Sequence, residues 1–84
     1  MRLEFDPQAL EDLPHWVEAD RRKALRIIQL TDQTLRSPFI GPGKPEPLKF
    51  RLSGCWSRRI DREHRLVCQV ESDTLIVLAC RYHY

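Results

Sequence analysis

The sequence predicts an α+β fold: one strand, two helices, then a run of four strands, in the order β-α-α-β-β-β-β. Two observations predict it. Apolar residues recur at helical spacing only between residues 7 and 36, while from residue 48 onward they alternate or run continuously, as strands do. Short turn signals separate the later runs, which favours an antiparallel meander with the helices packed on one sheet face.

Leu3 and Phe5 alternate with polar neighbours and start a short strand. Asp6-Pro7 then begins a helix, with Asp as N-cap and Pro at the first helical position. Leu10, Leu13 and Val17 form its expected inner stripe, beside Trp16. Pro14 removes one helical hydrogen bond, so a kink or restart is expected near Leu13. Asp20 caps a second helix to about Arg36, with Ala24, Ile27, Ile28, Thr31 and Leu35 facing inward. The cluster Arg21, Arg22, Lys23 and Arg26 reads as its solvated face. Ser37-Pro38 ends the helix.

Four prolines and two glycines lie between Pro38 and Pro47, so nothing regular is expected there. Proline restricts the unfolded chain and makes such a loop stiff. Leu48, Phe50 and Leu52 alternate with Lys49 and Arg51, predicting a strand with a core face and a cationic face. Ser53-Gly54 turns into a strand carrying Trp56, Arg58 and Ile60 on one side and Ser57 and Arg59 on the other. Asp61 to His64 turn again, Arg65 to Val70 form the next strand, and Ser72-Asp73 leads into the apolar run from Thr74 to Cys80.

Eighty-four residues, 42% hydrophobic and 31% charged, make one soluble domain spanning 1–84. No apolar run approaches a membrane span and the first residues have no signal-peptide pattern, so a cytoplasmic location is expected. Cys55, Cys68 and Cys80 are odd in number and widely spaced, which disfavours a disulfide framework or a zinc site. Cys68 and Cys80 read as core, and Cys55, beside a turn, as nearer the surface. Net charge is only +2, but Arg36 to Arg65 holds eight Lys/Arg against three Asp/Glu. That excess suits a phosphate backbone, although a salt-bridged surface accounts for it equally.

An acid on a stiff loop, several cations and a terminal histidine are the parts that metal-independent RNA cleavage needs. A base takes the 2′-hydroxyl proton, an acid protonates the departing 5′-oxygen, and cations steady the charge on phosphorus. Glu46 is the candidate base and His83 the candidate acid. Arg65 and Arg59 are candidate phosphate clamps, with Arg58 an equal competitor to Arg59. Lys49 lies three residues past Glu46, and Tyr82 and Tyr84 could stack on bases. His15 and His64 carry no sign of a partner, and Trp16 and Trp56 read as core. The residues alone support a small basic α+β domain that binds nucleic acid and cleaves RNA, or one that only binds.

Gly41 to Lys49 (Gly-Pro-Gly-Lys-Pro-Glu-Pro-Leu-Lys), Leu52 to Ile60 (Leu-Ser-Gly-Cys-Trp-Ser-Arg-Arg-Ile), Glu63 to Val67 (Glu-His-Arg-Leu-Val) and Ala79 to Tyr84 (Ala-Cys-Arg-Tyr-His-Tyr) closely resemble the Txe/YoeB toxins of the RelE/ParE superfamily. The resemblance spans nearly the whole chain and is strongest from Ser37 onward. It implies a RelE-like fold, with two N-terminal helices on a twisted antiparallel sheet. The activity implied is endoribonuclease cleavage of mRNA in the A site of the 70S ribosome, without metal or other cofactor. By matching positions, Glu46 resembles the general base, His83 the general acid and Arg65 the phosphate-stabilising arginine. Lys49, Arg59 and Tyr84 take supporting substrate-binding roles. A YefM-like antitoxin, a homodimer, and operator DNA bound only through the toxin–antitoxin complex are also implied. Relatives of the same fold that act on DNA gyrase lack the Glu/Arg/His set.

Overall fold

The computed structural model describes residues 1–81. Strand β1 (Arg2–Phe5) leads into helices α1 (Pro7–Ala19) and α2 (Arg21–Arg36). Strands β2 (Glu46–Pro47), β3 (Cys55–Arg59), β4 (Arg65–Glu71) and β5 (Thr74–Ala79) follow, with a single 3-10 turn at Phe50–Leu52. The five strands form one sheet in the order β1-β5-β4-β3-β2. The meander β2 to β5 is antiparallel, as expected. Strand β1 instead runs parallel to β5, so the sheet is mixed. The long route through two helices makes this possible, because parallel neighbours require a crossover rather than a hairpin. Among the described residues no helix is long and apolar enough to cross a membrane.

The helix starts fall where the sequence puts them. The Asp6 carboxylate accepts from Gln8 N at 3.1 Å, and the Asp20 carboxylate from Arg22 N at 3.1 Å. Each satisfies an amide that the first helical turn leaves without a partner. Asp20 also ends α1, its own amide donating to Trp16 O at 2.8 Å. Helix α1 continues through Pro14 rather than restarting. Pro14 lies on the exposed face, where solvent can satisfy the carbonyl that a proline leaves unbonded.

The buried stripes are rotated from those expected. Helix α1 buries Ala9, Asp12 and Trp16, with Leu13 partly covered, while Leu10 and Val17 are exposed. Helix α2 buries Ala24, Ile27, Leu30, Thr31 and Thr34, leaving Ile28 exposed and Leu35 partly covered. The two buried threonines bond back to the helix, Thr31 Oγ1 to Ile27 O and Thr34 Oγ1 to Leu30 O, so their hydroxyls cost little inside. These stripes cover Leu66, Cys68, Leu75 and Val77 of the sheet. Cys55 is buried as well, contrary to expectation, because it already belongs to β3 and is paired with Gln69 of β4 rather than lying in the exposed turn. Asp12 accepts from Cys80 N at 3.0 Å and from Gln8 Nε2 at 2.9 Å, and Trp16 Nε1 donates to Cys80 O at 2.8 Å. Helix α1 thereby holds both backbone groups of Cys80, just past the end of β5.

His64, expected to have no partner, sits 3.1 Å from Asp61 and edge-on to Trp16. Asp61 also pairs with Lys23 at 2.7 Å and accepts from the amides of Glu63 and His64. Burial pushes the Asp61 carboxyl up, but the Lys23 ammonium, the two amides and the His64 ring outweigh it and hold the group well below the usual carboxylate range.

Candidate active site

Cross-strand register decides which side chains meet. Residues directly opposite on neighbouring strands share a face. Glu46 lies opposite Ser57, and Arg59 opposite Arg65. Ser57 and Arg59 are two apart on β3 and therefore on one face. Glu46, Ser57, Arg59 and Arg65 thus collect on one side of the sheet. Arg58, paired with the core residue Leu66, points to the helix side.

The side chains bear this out. Arg65 Nη2 lies 2.7 Å from Glu46 Oε1, and Arg65 Nη1 donates to Ser57 Oγ at 2.9 Å. The Arg65 side chain is mostly covered, at 17% exposure, while the Glu46 carboxylate is half open at 53%. Ser57 is buried and serves as a fixed seat for the guanidinium. A planar fork held at one corner presents its remaining N–H groups in a set direction, which suits a phosphate oxygen. Arg59 is exposed beside it, its backbone fixed by Arg59 N donating to Gly43 O at 2.7 Å.

The expected strand from Leu48 to Leu52 is a correction. The ladder stops after Glu46–Pro47, with one further bond from Leu48 N to Cys55 O at 2.9 Å. Pro47 has no amide to give, and Phe50 takes a left-handed φ of 59° that turns the chain out of the sheet. Lys49 therefore sits exposed ahead of the 3-10 turn instead of on a regular strand face, and Phe50 is 92% exposed instead of core. His83 and Tyr84, with Tyr82, lie outside the described residues.

Sequence reasoning misses one residue and leaves another unassigned. Ser57 reads as an ordinary strand residue, and only the β3–β4 register and the bond from Arg65 Nη1 place it beneath Arg65. Arg58 looked equivalent to Arg59, but it is buried and donates to the carbonyls of Ser37, Ile40 and Pro42. Burial pushes its pKa down, with the neighbouring Cys68 acting in the opposite sense. A proline-rich loop lacks donors and needs one from elsewhere, but that need alone does not choose between the two arginines.

Solved structures share this arrangement of elements. A YoeB/ParE toxin from Agrobacterium tumefaciens superposes with a TM-score of 0.95 at 42% identity, covering 100% of both chains. Two structures from Staphylococcus aureus, a YoeB–YefM complex and a YoeB dimer, give TM-scores of 0.89 and 0.91 at 38% and 39% identity, each covering 100% of this chain and 98% of theirs. The fold is that of a RelE/ParE-superfamily toxin. At the level of sequence, the model of YoeB-like toxins of bacterial type II toxin–antitoxin systems matches residues 5–84. The toxin YoeB of Escherichia coli (strain K12) is 51% identical over 84 residues, covering 100% of each chain. The chain belongs to the YoeB-like toxin family.

Proposed function

We propose that this protein is a ribosome-dependent endoribonuclease that cleaves mRNA in the A site and so stops translation. The observation that carries the reading is the Glu46–Arg65–Ser57 arrangement, with Arg59 beside it on an open sheet face. Glu46 takes the proton from a ribose 2′-hydroxyl, and the 2′-oxygen attacks the adjacent phosphorus. The bond from phosphorus to the 5′-oxygen breaks, and His83 gives that oxygen a proton. Arg65 and Arg59 hold the non-bridging oxygens as charge builds on them. Incoming phosphate competes with Glu46 for Arg65, which frees the carboxylate as the substrate settles. Lys49 and Tyr84 help hold the RNA. The products are a 2′,3′-cyclic phosphate, which a water can then open to the 3′-phosphate, and a 5′-hydroxyl. The scheme is acid–base and electrostatic, and it draws on no metal.

By analogy with the S. aureus structures, a YefM-like antitoxin neutralises the protein and the free form is a homodimer. Operator DNA is bound only through the toxin–antitoxin complex. The protein works in the cytoplasm, where ribosomes are, as a single domain.

Primer extension on mRNA translated in a purified system tests the reading. Cuts at a fixed position in the A-site codon, present on ribosome-engaged message and absent from free RNA, are expected. Glu46→Gln and His83→Gln should fold normally and lose cleavage by about 10²-fold or more. Parent-like cutting by both variants, or cutting of free RNA alone, would overturn it.

A further inference from the structure

The segment from Ser37 to Pro47 is rich in acceptors and poor in donors. Pro38, Pro42, Pro45 and Pro47 keep their carbonyls but have no N–H. Such a stretch cannot close its own hydrogen bonds and must borrow donors from elsewhere. Strand β3 supplies them. Arg59 N bonds Gly43 O, Arg58 Nη1 bonds Pro42 O at 3.1 Å, and Arg58 Nη2 bonds both Ser37 O and Ile40 O, the latter at 2.9 Å.

The loop is moulded to this guanidinium. A Cβ on Gly41 would come within 3.2 Å of Arg58 Nη1, and one on Gly43 within 3.1 Å of both Arg58 Cβ and Leu30 Cδ2. Both glycines also hold left-handed φ values, 119° and 84°, that other residues rarely adopt. Arg58 itself is 2% exposed, and its Nε has no partner among the described residues. Burying a guanidinium this deeply is costly, and apolar residues would fill the space more cheaply. Among the described residues its side-chain hydrogen bonds all go to one loop, and that loop delivers Glu46 three residues past Gly43.

We propose that Arg58 is a positioning residue for RNA cleavage: by gathering the carbonyls of Ser37, Ile40 and Pro42 it fixes the entry to β2 and so sets the Glu46 carboxylate against Arg65. This rests on the function proposed above. The adjacent arginines then divide the work across the sheet. Arg59 faces the RNA, and Arg58 holds the base in place from behind.

The experiment compares Arg58→Lys and Gly43→Ala with the parent. A lysine keeps the charge but has no planar fork to reach three carbonyls, and the alanine keeps the guanidinium but crowds Arg58 Cβ and Leu30 Cδ2 and so displaces the loop. Cleavage of ribosome-engaged mRNA gives kcat and KM, near-ultraviolet circular dichroism gives the folded fraction, and amide exchange reads the loop. In both folded variants kcat should fall about 10- to 100-fold with KM within about threefold, because a displacement near 1 Å at a reacting group is that costly. The amides of Arg59 and Leu48 should lose protection while those of β4 and β5 keep theirs. Parent-like kcat, or a loss matched by the folded fraction with exchange rising uniformly, overturns the proposal. If the parent cuts nothing, the functional reading fails; unchanged loop exchange in the variants then overturns Arg58's hold on the loop, and selective loss of protection upholds it.

Discussion

Arg65 reaches Glu46 and Ser57 with two different nitrogens of one guanidinium, 2.7 Å to the carboxylate and 2.9 Å to the hydroxyl. Neither contact follows from the other. The buried serine sets where the fork sits, and the half-open carboxylate is what a phosphate would replace. Lysine at this position is a point donor and cannot hold both contacts in one plane. Arg65→Lys is expected to lower kcat about 10- to 100-fold with folding intact. Single-turnover cleavage checks this, and a parent-like rate would remove Arg65 from the chemistry.

Arg59 differs because it is exposed and, among the described residues, held through its backbone. Arg59→Ala should weaken RNA binding, with a smaller effect on kcat. The slope of log K against log salt should become shallower by about 0.7, the share of one phosphate contact on a single strand. A binding titration from low to moderate salt measures it. An unchanged slope would mean that Arg59 touches no phosphate.

The Asp12 carboxylate is buried and receives the amide of Cys80 from 68 residues away in sequence. Asp12→Ala strands that amide inside the protein. The cost should be about 1–3 kcal/mol, read from the urea midpoint. A change within about 0.5 kcal/mol would show that water serves the amide equally well.

Asp61 should make stability depend on pH in one direction only. Its folded pKa is depressed, so its contribution is present above the unfolded value of about 3.9 and disappears as pH falls below it. Asp61→Asn should be less stable than the parent at pH 7, by about 1–3 kcal/mol. The gap should close progressively below about pH 4. Urea midpoints of both proteins from pH 7 to pH 3 test this, and a gap constant across that range would contradict it.

Burial pushes the Cys68 thiol up to about 12, with Arg58 acting against the shift, and the Cys80 thiol up to about 12, with Asp12 adding to it; burial also raises Cys55. The thiolate is the reactive form. Native protein at pH 8 should therefore react with a thiol reagent only as fast as it opens, and all three cysteines should react at once in denaturant. Fast labelling of the folded protein would show an accessible thiol.

Much of the fold is legible in the sequence. Asp6-Pro7, Asp20, Ser53-Gly54 and Ser72-Asp73 are local signals, and each marks a boundary close to where the chain turns. What stayed hidden was set by contacts distant in sequence. Whether Leu30 or Ile28 is buried depends on how α2 lies on the sheet, because both fit a helical stripe. Leu48, Phe50 and Leu52 alternate well enough for a strand, but Pro47 and the backbone at Phe50 break the ladder. Arg58 and Arg59 are indistinguishable until register assigns them faces. The parallel pairing of β1 leaves no mark in its own four residues. Glu46, Arg59 and Arg65 were identifiable by type and motif, but the serine seating Arg65 was not.

That parallel pairing also bears on how the molecule forms. Strands β3, β4 and β5 are joined by short turns and can zip together locally. Arg2 meets Thr74 only after nearly the whole chain has been brought round on itself. Closing so long a loop costs entropy before any β1 contact repays it. Docking of β1 onto β5 is therefore expected to come late in folding, after the β3–β4–β5 meander has formed.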